Sequence, residues 1–351
     1  ENIIVNAATS MANNFRVFDI DETSGDVTIE GLTVSGGLVD DGGGGILFRS
    51  AGTLTIRDSI VTGNQASNGG GIYSEHDGSI VIESSTISGN TALFAAGGGV
   101  QAVDGDITLT SSTVSGNHSY SGGAGIYSPY LGSITITDSE VTNNRIFEPG
   151  YHGAGVYAGS GPVTISGSTI SGNTSIGDGG GLYSFSGAVS ITKSTITNNQ
   201  AGYSGGGLFN YSGALSITSS TINNNSASYG DGGGIANSIG NFTLTRSTIS
   251  GNSASTDGGG IANGSGQVNI LNSLLSGNSA DADGGGIATS TGSVTVTNST
   301  VTGNDAGVRG GGIQADKAAV RLVHATVTLN SAVVEGGGVG VLSNNSGESI
   351  L

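Results

Sequence analysis

A short polar motif recurs along this chain at a nearly fixed interval. Ser/Thr-Gly-Asn, Thr/Ser-Asn-Asn or a close variant ends at Asn64, Asn90, Asn117, Asn144, Asn173, Asn199, Asn225, Asn252, Asn278, Asn304 and Asn330, in steps of 26 or 27 residues with a single step of 29. Gly37, in Gly-Leu-Thr-Val-Ser-Gly-Gly, marks a twelfth, degenerate copy. Self-similarity at one period means stacked copies of one supersecondary unit, none able to bury its apolar face alone. A length of 351 residues would otherwise suggest two or three domains; the repeat argues instead for one array.

A second block keeps the same register. Runs such as Ile107-Thr108-Leu109-Thr110, Ile134-Thr135-Ile136-Thr137 and Val294-Thr295-Val296-Thr297 alternate apolar and polar residues, the pattern of a half-buried strand. Another apolar column precedes the Asn (Val61, Ile87, Val114, Val141), and a further one follows Gly-Gly-Gly (Ile46, Ile72, Ile235, Ile261). Each repeat therefore holds three short strands. About 26 residues are too few for strands plus a crossover helix, since a βαβ unit takes about 30 or more. Winding each repeat into one coil and pairing every strand with its equivalent one coil on satisfies both constraints. Parallel crossovers are right-handed. The fold class is thus all-β, a single right-handed parallel β-helix of about 12 coils. It would comprise an irregular first coil (1–26), regular repeats (27–342) and an incomplete last coil or tail (343–351). A Ser column two places before the third apolar column is expected to point inward. The repeat-ending Asn, tolerant of left-handed backbone, should bond its own copies in neighbouring coils.

Composition narrows the partners. Gly is 67 of 351 but Pro only 3, which excludes collagen and Pro-rich linkers. A net charge of −17 with nine Lys and Arg argues against nucleic acid or an anionic membrane and favours cation binding. The absence of Cys removes disulfides and thiolate metal sites. No apolar run reaches about 18 residues, so nothing spans a bilayer as a helix. Glu1 opens no signal peptide, and the chain reads as a processed protein or a segment of a longer one.

Gly69-Gly70-Gly71-Ile72 followed by Thr86-Ile87-Ser88-Gly89-Asn90, repeated through Gly336-Gly337-Gly338-Val339, resembles the right-handed parallel β-helix repeats of bacterial surface proteins. The blocks are similar to those of the polymorphic outer-membrane-protein repeats, which pair a Gly-Gly-x-Ile block with an x-x-x-Asn block. The likeness covers about residues 27–342. It implies a pectin-lyase-like β-helix on an extracellular or bacterial cell surface; that fold hosts adhesins and passenger domains as well as polysaccharide lyases and hydrolases.

Four surface features suggest sites. One place past the inward Ile of the Gly block stand Tyr127, Tyr157, Tyr183 and Phe209, predicted to form an exposed aromatic stripe. Tyr151 stands in the neighbouring long corner loop of the 29-residue repeat. Rings beside a side-chain-free strip suit sugar stacking or a protein partner; aromatic residues that merely cover their own backbone are the bland alternative. Acids precede Gly-Gly-Gly at Asp41, Asp178, Asp231, Asp257 and Asp283, with Glu335 last. Asp231, Asp257 and Asp283 fall on consecutive coils, about 5 Å apart, where they either are solvated and cap Gly amides or share a cation such as Ca²⁺. Glu30, Arg57 and Glu83 form an outward column with Asp58 beside them, either a lyase-like constellation or an alternating-charge ladder. Outward Thr-x-Thr pairs resemble an ice-binding lattice, broken on both faces.

No catalytic motif emerges, and the catalytic residues expected are none. The reading is a non-enzymatic surface scaffold, an adhesin-type passenger or fibre subunit that binds glycans through its aromatic stripe. A polysaccharide lyase or hydrolase is the alternative, with an ice-binding solenoid third. Uncapped terminal strands would favour end-to-end self-association.

Overall fold

A computed structural model describes residues 3–6, 15–21 and 25–342; the expected tail at 343–351 and parts of the first coil lie outside them. The chain divides into two compact units, residues 1–176 and 177–351. Both are built from the same coil, and the described residues contain strands, turns and bends but no helix. None is therefore a helix long and apolar enough to cross a membrane.

In unit 1 a typical coil runs through Ser79–Glu83, Thr86–Ser88, the two-residue strand Thr91–Ala92 and Val100–Ala102. Every strand pairs in parallel with its equivalent one coil on, like opposite like: Ile80 with Ile107, Ile82 with Leu109, Ile87 with Val114. Unit 2 repeats the scheme, with Val189 opposite Leu215, Ile191 opposite Ile217 and Ile222 opposite Ile249. The three predicted strands are present. A fourth is added directly after the Asn, where Ala66, Ala92, Ala201 and Ala227 turn inward. The alternating columns are buried as their period requires, Ile82, Leu109, Ile191 and Ile217 being fully enclosed.

Polar columns line the narrow parts of the core. Asn90 Nδ2 donates to Asn117 Oδ1 at 3.0 Å, and Asn117 Nδ2 to Asn144 Oδ1 at 3.0 Å. The same oxygens accept the main-chain amides of Asn90 and Asn117, each at 3.0 Å. Unit 2 carries an equivalent ladder from Asn199 to Asn330. The Ser column points inward as expected. Ser85 N donates to Ser112 Oγ at 3.1 Å, while Ser112 Oγ donates to Thr110 O at 2.8 Å. One expectation is corrected: the left-handed residue is not the ladder Asn but the one before it, Gly89, Gly116, Asn143 or Asn224. That placement frees the ladder Asn to remain in strand-like register with its copies.

The Gly triplet and the Asn ladder explain each other. Gly69 turns the corner at φ +52, a conformation costly for other residues. A Cβ on Gly70 would stand 2.4 Å from Thr91 O, and one on Gly71 would stand 2.5 Å from Gly99 O and 3.0 Å from the Asn90 amide carbon. The chain approaches the ladder so closely that only hydrogen fits.

Candidate functional site

One side chain per coil stands just past the inward residue of the last strand. In unit 1 this column contains Leu47, Tyr73, Gln101, Tyr127 and Tyr157. In unit 2 it contains Tyr183, Phe209, Ala236, Ala262, Ala288 and Gln314. Tyr127 and Tyr157 meet with centroids 4.8 Å apart, tilted by 35°; Tyr183 and Phe209 stack at 5.1 Å and 2°.

These rings are not the exposed stripe expected of them. Tyr183 is only 7% exposed, and Tyr127, Tyr157 and Phe209 are half-buried. Each ring folds down over the corner that glycine leaves empty. A Cβ on Gly122 would meet Tyr127 Cε2 at 2.9 Å, and one on Gly179 would meet Tyr183 Cβ at 2.8 Å. Burial, with Tyr157 adding to it, pushes the Tyr127 hydroxyl up to about 12; burial raises Tyr157 as well. Tyr151 lies outside the column in the long corner loop, 44% exposed. There Phe147 sets its edge on His118 at 5.0 Å, and the Arg145 guanidinium lies 5.5 Å from the Phe147 ring centre. Burial first, then the Arg145 charge, holds His118 below its ordinary value.

The corner acids of unit 2 form a ladder of their own. Asp231 Oδ1 accepts the amide of Asp257 at 3.0 Å, Asp257 Oδ1 that of Asp283 at 3.0 Å, and Asp283 Oδ1 that of Arg309 at 3.0 Å. Thr256 Oγ1 also donates to Asp231, and Arg309 Nη2 pairs with Asp283 Oδ2 at 2.5 Å. The acids therefore cap one another's amides, not the glycine amides expected. Asp41 falls outside this column; it pairs with Arg16 at 2.6 Å, and the residue at the ladder's place in its coil is Gly42. Asp257 is held above the ordinary carboxylate value, first by burial and then by Asp231, Asp283 and Asp316; the Asp283 amide opposes the shift.

Where the ring column gives way to alanine, a groove opens. Ala236, Ala262 and Ala288 form its floor, and Asp231, Asp257 and Asp283 stand along it with Ser238, Gly264 and Ser290. Phe209 marks one end; Gln314 and Asp316, joined by a 2.8 Å hydrogen bond, mark the other. The volume of the groove is about 270 Å³. Beneath runs a second amide ladder, Asn210 Nδ2 to Asn237 Oδ1 at 2.8 Å and Asn237 Nδ2 to Asn263 Oδ1 at 2.9 Å, ending on Thr289. The groove and this ladder lie outside what the repeat pattern predicts. Their signals are the change from Tyr183 and Phe209 to three alanines, and Asn-x-x-Gly repeated at 210, 237 and 263.

The acids line up along the groove and do not converge. Among the described residues, no group of three or more His, Asp or Glu side chains is placed to hold a metal ion. Glu30, Arg57 and Glu83 stand in one outward column, with Arg57 Nε bonded to Glu83 Oε2 at 2.8 Å. Asp58 supplies the adjacent left-handed corner at φ 47. That arrangement is a charge ladder between strands.

A family model described as right handed beta helix region matches residues 17–187, 70–238 and 182–351. Among solved structures, the Azotobacter vinelandii mannuronan C-5 epimerase AlgE6 A-module is similar over 92% of this chain and 92% of its own, with 14% identity and a TM-score of 0.49. No curated protein matches the chain. The matched segments run from residue 17 to residue 351, and the chain belongs to the right-handed β-helix family.

Proposed function

We propose that this chain is a non-catalytic solenoid displayed outside the cell, an adhesin-type scaffold whose unit 2 groove holds a segment of an extended, uncharged glycan. The observation that carries the reading is the groove over Ala236, Ala262 and Ala288. It combines an apolar floor, a ring at one end and a row of oxygen acceptors, the mixture that a polyhydroxylated chain requires. The acids disfavour a polyanion, because only Arg309 offsets them within the row. Each ladder carboxylate already has one oxygen committed to a main-chain amide. These carboxylates are fixed parts of the coil, which favours holding over turnover.

The test is retention on immobilised neutral polysaccharides by the wild type and by Ala262→Tyr. That substitution returns to its coil the ring that Tyr183 and Phe209 supply to theirs, and fills the groove. Retention by the wild type and its loss in Ala262→Tyr, by about tenfold or more at an unchanged melting temperature, is the expected outcome. Failure of the wild type to bind any neutral polysaccharide, or equal retention by the variant, would remove the groove as the site. Release of reducing ends by the wild type but not by Asp257→Asn would replace the scaffold reading with a hydrolytic one.

A further inference from the structure

The ring column of unit 1 has a gap. Gln101 pairs with Tyr73 on one side and Tyr127 on the other, so the strands that carry the two rings lie two strand spacings apart, about 10 Å. Tyr73 leans away from the gap: its Cδ1 lies 2.1 Å from where a Cβ of Gly42, in the preceding coil, would stand. The space between is a cleft of about 290 Å³ walled by Tyr73 and Tyr127, with Asn68, Ser121 and Tyr130 also lining it. Gln101 is 6% exposed, and its Oε1 has no hydrogen-bond partner. A buried amide oxygen without a donor is unfavourable and calls for an explanation. The oxygen lies over the corner of its own coil, 3.0 Å from where a Cβ of Gly97 would stand, and the Gln101 side chain lines the cleft.

We propose that this cleft binds a single uncharged sugar ring, a pyranose seated between Tyr73 and Tyr127 with one hydroxyl donated to the Gln101 amide oxygen. A sugar ring in the cleft packs on the tyrosine rings that wall it, contacts that attract at ring separations of about 4.5–7 Å. The same column already brings two rings together, Tyr127 and Tyr157, at 4.8 Å. No hydrogen bond holds the Gln101 side-chain oxygen, which leaves the amide free to turn toward a donor. Asn68, Ser121 and Tyr130 offer partners to the remaining hydroxyls, and no charged side chain lines the cleft to match an ionised sugar. Burial also keeps Tyr73 and Tyr127 as neutral hydroxyls, raising both above the ordinary value. The site is independent of the unit 2 groove and of the reading built on it.

The experiment titrates methyl pyranosides of glucose, galactose, mannose and N-acetylglucosamine into the full chain, read by saturation-transfer NMR on the tyrosine signals. Binding of at least one with Kd on the order of 1 mM is expected. Gln101→Tyr, which places in this coil the ring its neighbours carry, should abolish binding. Gln101→Met, equal in length but lacking the amide, should weaken it by roughly tenfold, and Ala262→Tyr should leave it unchanged. Absence of binding by the wild type, retention by Gln101→Tyr, or loss confined to Ala262→Tyr would overturn the proposal. Melting curves check folding, and Gln101→Met decides alone if Gln101→Tyr does not fold.

Discussion

At the residue scale the coil is limited by its corners, which demand left-handed backbone at fixed places. The residue before each ladder Asn is Gly or Asn in every described coil but the last, where Leu329 takes φ +53 with its side chain 84% exposed. A branched, non-Gly residue in that region carries about 1–2 kcal/mol of strain, and this side chain recovers almost nothing by burial. Leu329→Asn should therefore raise stability by roughly 1 kcal/mol, seen as a higher denaturation midpoint at an unchanged m-value. A lower midpoint would mean that Leu329 makes a contact worth more than its strain. The sequence already marks the position as odd, because Asn143, Asn198 and Asn224 supply the rule that Leu329 breaks. It does not reveal which of two adjacent Asn residues bends, since both tolerate the bend and only the hydrogen-bonding register separates them.

At the scale of the element, legibility follows periodicity. The strand Ser79–Glu83 spans enough residues for its alternation to be read directly. Thr91–Ala92, two residues long, has no period to read, and its inward Ala carries too little area to signal a core. Ring exposure is illegible for a related reason: corner glycines read in sequence as a strip for a ligand, whereas they seat the protein's own rings. The groove depends on two columns standing side by side, alanines and acids, a fact of register rather than of either pattern. The Asp ladder has a consequence in pH. Asp257 binds its proton more tightly folded than unfolded, because burial and the charges of Asp231, Asp283 and Asp316 all disfavour its anion, against the pull of the Asp283 amide. As pH rises from the ordinary value of 3.8 through the raised folded value, the unfolded chain loses this proton first and the folded state loses stability. Asp257→Asn keeps an oxygen for the Asp283 amide and removes the charge. Melting temperatures across pH should show the variant more stable than wild type at neutral pH, with the difference vanishing below the ordinary carboxylate value. A variant less stable at neutral pH would show that Asp257 is held by a favourable partner.

At the scale of the whole chain, stability is distributed. Within each unit, regular coils are joined to the next by four kinds of strand pairing, an Asn ladder and a Ser ladder, and equivalent positions hold equivalent residues. Such an array behaves as a sum of coil and nearest-neighbour contributions, so a complete coil ought to be removable where its neighbours are alike. Excision of residues 253–278 within unit 2, joining Asn252 to Ser279, is such a case. It would place Phe242 against Val294, Ile249 against Val301 and Asn252 against Asn304, in the pairings that Val268, Leu275 and Asn278 now make. Glycine triplets would again meet ladder amides. The shortened chain should keep its strand content by circular dichroism and a cooperative transition at a modestly lower midpoint. Excision of 253–265, half a coil, would strip the strands Ser253–Ala254 and Ile261–Asn263 from one coil and set unlike columns against each other at the junction, and should abolish that transition. The same 26-residue excision removes Asp257 and Ala262, leaving Asp231 beside Asp283 and Ala236 beside Ala288, so the groove persists but is one coil shorter. Retention on neutral polysaccharide should fall without vanishing, whereas the Gln101 cleft in unit 1 should bind its pyranoside as before. Loss of folding on removal of one whole coil would show that the coils are not interchangeable and that specific neighbours, rather than the repeat, hold the chain together.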